Sequence, residues 1–364
     1  MNLIRVMKVI PNLWVWAFFL FVAGGMLSRE TLAADNSSNL SSPPDIKLWY
    51  GDNQRFGHLG MPQPMINILG NVSGRDGIAH LTFSLNGGDP RPLSVGGNLH
   101  RLAKPGDFIV EIDHREFLNG KNEIVLAAIN SAGNKSSKTV TVDYTAGRTW
   151  PLPYSIDWSK VKEIQDVAQV VDGRWQLDSN GVRSIEPYYD RVIAIGDTSW
   201  TDYEALVRVT YNLYPKVLNE GGPPYRNSAH GSICLRWRGH DNDGRQPLRK
   251  WWPLGGLAAL STWVEQPDWR WNLWKGDGAR PVKEETGRSI EINRPYLYRV
   301  RVETLEGPGS RYSMKVWEAG EDEPADWNMV VLEDERDLQS GSLLFVVHHA
   351  DVTFGNIEIM PITH

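Results

Sequence analysis

The sequence predicts an all-β protein built from two sandwiches in tandem. Short stretches in which apolar and polar side chains alternate recur along nearly the whole chain, and Gly, Asn or Pro closes most of them. Apolar residues at the helical spacing of about 3.6 are nearly absent. At 364 residues, with 41% hydrophobic content and a net charge of −6, the chain can fill more than one core and has a soluble, globular composition.

Residues 1–34 stand apart. Arg5 and Lys8 precede an apolar run from Leu13 to Leu27, and Thr31-Leu32-Ala33 forms a small-residue cleavage pattern. The run is shorter than the roughly 20 residues a spanning helix needs, so it reads as a secretory signal, and no membrane span is expected after its removal. The expected location is secreted, periplasmic or cell-envelope. Cys234 is the one cysteine, so no internal disulfide forms. The form of the signal and the scarcity of cysteine favour a bacterium.

A polar linker over 35–43 leads to the first sandwich, expected over 44–146. Its strands are INILGNVSG, IAHLTFSLNGG, DFIVEID, NEIVLAAIN and KTVTVDY, each of strand length and turn-bounded. The segment resembles bacterial immunoglobulin-like modules: Leu118-Asn119-Gly120-Lys121-Asn122 and Ser131-Ala132-Gly133-Asn134 are similar to their closing hairpins. The resemblance implies a spacer or docking role.

After the break AGRTWPLP, a second domain is expected over 147–364. GRWQLDSN, YEALVRVT, SICLRWRG, SIEIN, YLYRVRVETL, RYSMKVWEAG, SLLFVVHHA and DVTFGNIEIM are its strands. So many strands in one unit imply two large sheets face to face, a jelly-roll-like sandwich. Three pieces are similar to the concanavalin A-like lectin/glucanase superfamily, in its 3-keto-disaccharide hydrolase-like or laminin-G-like branch. They are Val171 to Leu177 leading to Asp197 to Glu204; Ile233-Cys234-Leu235-Arg236; and Gly341 to His348 followed by Val352, Phe354, Asn356 and Ile357. Together they span most of 160–362. The branch's Asn-Ser-Gly is here His230-Gly231-Ser232, its acidic strand has no counterpart, and the laminarinase-type Glu-x-Asp-x-x-Glu is missing. The resemblance therefore supports sugar binding over any reaction.

SICLRWRGHDNDGRQPLRKWW carries the chemistry. On a regular strand Ile233, Leu235 and Trp237 share the core face, while Arg236, Arg238 and His240 project outward with Cys234. In the resembled superfamily that outer face is the concave, sugar-holding one. Between Arg226 and Arg280 nine Arg or Lys face five Asp or Glu, and seven of the sixteen tryptophans fall there. Arginine forks grip carboxylate or sulfate, and indole rings stack on sugar faces. Arg236, Arg238, Trp251, Trp252, Trp269, Trp271 and Trp274 are thus the expected ligand contacts. Single-stranded nucleic acid is disfavoured by the acidic chain and the export signal.

His348 aligns with the branch's closing histidine and, with His240, is the candidate acid or base; His349 should face the other way. No cofactor is required. Calcium sites recur on the convex side of the superfamily, which makes Asp351 a candidate ligand by resemblance, while Asp241-Asn242-Asp243-Gly244 reads as a solvated turn lacking the distal glutamate of a calcium loop. The sequence sets no oligomeric state. The expected function is binding of a polysaccharide, an anionic one. The alternatives are a lyase or glycoside hydrolase on the same face, and an envelope or matrix structural protein.

Overall fold

In the computed structural model, residues 41–213, 228–250, 254–263, 266–274, 281–286, 290–307 and 309–363 are described, with backbone alone for 228, 260–263, 266–272, 274 and 281–286. The N-terminal part forms β1 (Asp45–Leu48), β2 (Asn53–Phe56), β3 (Met65–Ser73), β4 (Ile78–Leu85), β5 (Arg91–Pro92), β6 (Asp107–Asp113), β7 (Gly120–Asn130) and β8 (Lys135–Tyr144). They make a three-stranded sheet, β1-β3-β6, facing a five-stranded one, β2-β8-β7-β4-β5. Alternation does the sorting. On β7, Ile124, Leu126 and Ala128 are buried between partly exposed neighbours, and they meet Ile66, Ile68, Val110 and Ile112 of the opposite sheet in one core.

The C-terminal part forms β9 (Tyr154–Ile156), β10 (Gln169–Asp172), β11 (Trp175–Asp178), β12 (Gly181–Ser184), β13 (Arg191–Ile195), β14 (Tyr203–Leu213), β15 (Ser228–Trp237), β16 (Gly256–Trp263), β17 (Gln266–Trp274), β18 (Pro281–Thr286), β19 (Pro295–Thr304), β20 (Ser310–Glu318), β21 (Met329–Glu333), β22 (Ser342–His348) and β23 (Asp351–Pro361). A seven-stranded sheet, β10-β13-β22-β15-β16-β17-β18, packs on an eight-stranded one, β11-β12-β23-β14-β19-β20-β21, with β9 on β23. Ile193, Ile233 and Phe345 from one sheet and Val207, Val300 and Phe354 from the other fill the space between, and the Phe345 and Phe354 rings stack at 4.2 Å. The all-β expectation holds. SIEIN fails as a strand over 290–293, because Asn293 adopts a left-handed φ of 63° in a turn whose amide donates to Tyr211 O.

β15 departs from regular alternation at its end. Its register against β22 jumps between Cys234 and Trp237, and Arg236 takes a left-handed φ of 54°. The bulge exchanges two side chains between faces. Trp237 leaves Ile233 and Leu235 and packs outside with Cys234, Val192 and Leu344, while Arg236 enters the sandwich.

The two sandwiches are tied by buried polar groups within a single compact unit, 41–364. Arg101 Nε lies 2.8 Å from both Asp172 oxygens, and its Nη1 donates to Glu111 at 2.6 Å and to Leu248 O at 2.5 Å. Gln169 donates to Met65 O at 2.8 Å, and Tyr50 donates to Gly173 O at 2.9 Å. Gln246 donates to Ile109 O at 2.6 Å and Leu248 N donates to Glu111 at 2.7 Å, strapping the segment after β15 to the first sandwich.

Candidate functional site

The outer face of the seven-stranded sheet has two unlike ends. At one end Val171, Val192, Ala194, Cys234, Leu344 and Val346 form an apolar cluster with Trp237, Leu254 and Leu257. Outward-facing residues this apolar need a cover, and both 238–250, through His240 on Trp237, and Arg101 of the first sandwich, on Val171 O and Asp172, lie over this end. The segment leaves β15 and brings His240 Nε2 to 4.0 Å of Asp172 on β10, so it must cross β22 and β13. Each of these residues is buried.

The other end is polar. His230 on β15 and His348 on β22 are directly paired across the strands, so both imidazoles rise from one face and stack with centroids 5.0 Å apart at 6°. Gly231 makes room beneath them: the Tyr211 hydroxyl donates to its carbonyl at 2.8 Å, and a Cβ there would lie 3.0 Å from that oxygen. Asp190, just before β13, takes a φ of 32° and places its carboxylate 2.7 Å from His348 Nδ1. His230 Nδ1 lies 3.1 Å from Ser232 Oγ. One ligand atom each from Asp190, His230 and His348 lies within 4.8 Å of the others.

His349 joins this cluster against expectation. β22 ends at His348, and His349 turns to a φ of 49°, which sets its ring edge-on to His348 at 4.4 Å instead of across the sheet. Tyr189 stacks edgewise on His348 at 5.1 Å and contacts His100 of the first sandwich at 4.8 Å. Burial, with the neighbouring His348, holds the His230 imidazole down to about 3 and that of His349 to about 4. Both rings are therefore neutral at physiological pH.

Beside the cluster a cleft of about 330 Å³ is lined by His100, Tyr189, Asp243, Arg245, Arg249 and Lys250. Three cations meet one carboxylate there. Lys250 pairs with Asp241 at 3.0 Å and Arg245 reaches Asp243 at 4.0 Å. Arg249 pairs with no carboxylate among the described residues, and its Nε is buried without a hydrogen-bond partner.

The expected contacts are placed as follows. Arg236 is fully buried, and all five guanidinium N–H groups are engaged: with Thr201 O (2.9 Å), Ser310 Oγ (2.7 Å), Leu338 O (2.9 Å), Asp202 (3.1 Å) and Thr304 Oγ1 (2.8 Å). It closes the sandwich interior and does not project from the sheet. His240 is buried in the covering segment, edge-on to Trp237 at 5.6 Å, outside the triad around His348. Arg238 is exposed. Asp351 accepts from Arg183, with contacts of 2.7 and 2.5 Å, and from Asn212 at 3.0 Å. Trp251 and Trp252 lie outside the described residues, as do the side chains of Trp269, Trp271 and Trp274 on β17. Among the described residues, His348 alone of the expected contacts sits in the cluster. Asp190, His230 and Arg249 were missed, although His230 stands where the resembled branch has Asn.

No protein-family model matches the chain. No curated protein matches it. Among solved structures it is similar to an endo-acting O-glycanase of the human gut microbiota that initiates mucin breakdown (8% identity, 58% of this chain and 99% of the other, TM-score 0.37). It is also similar to an alginate lyase bound to alginate trisaccharide (11%, 58% and 100%, TM-score 0.36) and to a galectin-like protein from Bacillus subtilis (9%, 57% and 94%, TM-score 0.34). At these scores the likeness gives no residue a role.

Proposed function

We propose that this chain is an exported carbohydrate-binding protein that holds an anionic polysaccharide at the cleft beside the histidine cluster, on a concanavalin A-like sandwich carried by an immunoglobulin-like module. The observation that carries the reading is Arg249: a guanidinium lining a cleft, with a buried Nε that has no partner among the described residues. An unsatisfied buried donor costs stability, on the order of 1–3 kcal/mol, unless a ligand completes it. A carboxylate or sulfate does so in the geometry guanidinium favours, and Tyr189 offers a ring for the sugar face. The cleft lies within the roughly 300–1,000 Å³ typical of ligand sites.

The test is retention of the chain on a polyuronate, a sulfated glycan and a neutral glucan. Retention on the two anionic matrices, weakened by salt and about tenfold by Arg249→Ala, is the expected result. Equal retention on the neutral glucan with no salt effect would overturn the charge reading, and no retention anywhere would favour a structural protein.

A specific contact favours a second reading, a lyase or hydrolase at the same place. Asp190 holds His348 by Nδ1, the arrangement that orients an imidazole for proton transfer at Nε2. New unsaturated or reducing ends that vanish in His348→Ala, with retention kept, would establish it.

A further inference from the structure

We infer that Asp190, His230 and His348 form a binding site for a divalent transition-metal ion of the zinc class. The donor set is two imidazoles and one carboxylate, the composition of three-ligand zinc sites that keep a position open. Magnesium and calcium prefer oxygen-only shells, which this set cannot provide.

The geometry supports it independently of any glycan. One atom from each residue already lies within 4.8 Å of the others. In a tetrahedral zinc site with bonds of about 2.0 Å, ligand atoms are about 3.3 Å apart, so side-chain rotations of about an ångström or two would close the set. The two imidazoles come from directly paired residues of adjacent strands, which fixes the spacing of their backbones. His230 is oriented through Nδ1 by Ser232 Oγ at 3.1 Å, which leaves its Nε2 for the ion, while His348 turns Nδ1 toward Asp190 at 2.7 Å and offers that nitrogen. Hydrogen bonding of the far ring nitrogen is the usual second layer of a histidine metal site. Asp190 is the carboxylate ligand, and an ion between it and His348 Nδ1 would take the place of the proton they now share at 2.7 Å. Its left-handed φ of 32° is a local strain that this placement requires.

Both imidazoles are partly exposed, so an ion can enter from solvent. The ion would add positive charge next to the cleft of Arg245, Arg249 and Lys250, and its open position would accept water or an oxygen of a bound molecule.

The experiment is equilibrium dialysis of the full chain, carrying no histidine tag, against zinc and separately against cobalt(II). The expected result is one equivalent per chain, and a cobalt absorption spectrum of four- or five-coordinate form. His230→Ala and His348→Ala, checked for folding by circular dichroism, should each weaken uptake at least a hundredfold. Asp190→Asn, which replaces the carboxylate ligand by a neutral amide, should weaken it at least about tenfold. Arg249→Ala should leave metal uptake intact while reducing glycan retention, which separates this site from the proposed function. Should a histidine variant fail to fold, the wild-type cobalt spectrum still decides, because an octahedral, oxygen-only form contradicts ligation by two imidazoles. Less than one equivalent bound by the wild type, or uptake undiminished in both histidine variants, would overturn the inference.

Discussion

The two ends of β15 carry opposite chemistry on one ten-residue strand. At the Trp237 end, Arg236 is turned inward by the bulge and satisfied at every N–H group, so its charge serves the fold. At the other end, His230 stays in register opposite His348, partly exposed, in a cluster built from three segments. A saturated buried cation is spent on structure, whereas a donor or lone pair held in place without saturation remains available to a ligand. The cleft makes the same contrast between arginines. Among the described residues, Arg249 Nε lacks the partner that every N–H group of Arg236 has.

The contrast breaks most readily at Arg236. Arg236→Ala would strand Asp202 and Asp337 without their cation and leave Ser310, Thr304 and two carbonyls unpaired. The expected loss is about 3–5 kcal/mol, read from urea unfolding. A loss under about 1 kcal/mol would mean that the inward arginine is not structural.

His240 offers a pH test of the covering segment. Burial comes first in depressing its imidazole well below the usual range, with Arg101 adding to the effect and Asp190 opposing it; Trp237 and Asp172 also stand beside it. The unfolded imidazole titrates near 6.5, so below that pH the unfolded chain binds a proton that the folded chain refuses. Stability from this group is complete above about pH 6.5 and falls as pH drops, by up to ~1.4 kcal/mol per unit. Unfolding at several pH values should show a shallower acid decline for His240→Gln. An unchanged slope would mean that the segment opens and lets the imidazole protonate without unfolding.

Arg249→Ala sharpens the contrast from the functional side. It should not lower stability, because no described carboxylate loses its partner, and removing the buried unsatisfied Nε should raise it by up to about 1–3 kcal/mol in the absence of ligand. Retention on anionic glycan should drop about tenfold, near 1.4 kcal/mol. A large stability loss would class Arg249 with Arg236.

Much of the fold was legible because a two-residue period reports a half-buried strand directly. DFIVEID was read to its exact bounds, and the eight-residue core of YEALVRVT fell inside β14. SIEIN has the same period and is not a strand, since a turn at Asn293 overrides it. The site was far less legible. The same alternation rule put Arg236 outside and His349 opposite His348, and both errors arise where a left-handed residue ends the regular register. Pairing of His230 with His348 depends on registry between strands more than a hundred residues apart, and Asp190 arrives from a loop. The His-Gly-Ser departure from the resembled branch was the one sequence signal for His230, and nothing in the period distinguished it.

Arg238 gives the smallest expected effect and the most direct check on where the ligand sits. It lies two residues beyond Arg236, exposed, on the segment that leaves β15 to cover the apolar cluster. Alternation placed it with Arg236 as a ligand contact, yet it is absent from the lining of the cleft around Arg249. An exposed arginine away from both sites contributes little to folding, so Arg238→Ala should change stability by less than about 0.5 kcal/mol. Retention on an anionic glycan should change less than about twofold, the loss of one screened, distant charge. A tenfold drop matching that of Arg249→Ala would carry the glycan path over the covering segment toward Trp237, and the buried end of the sheet would then count as the floor of the binding surface.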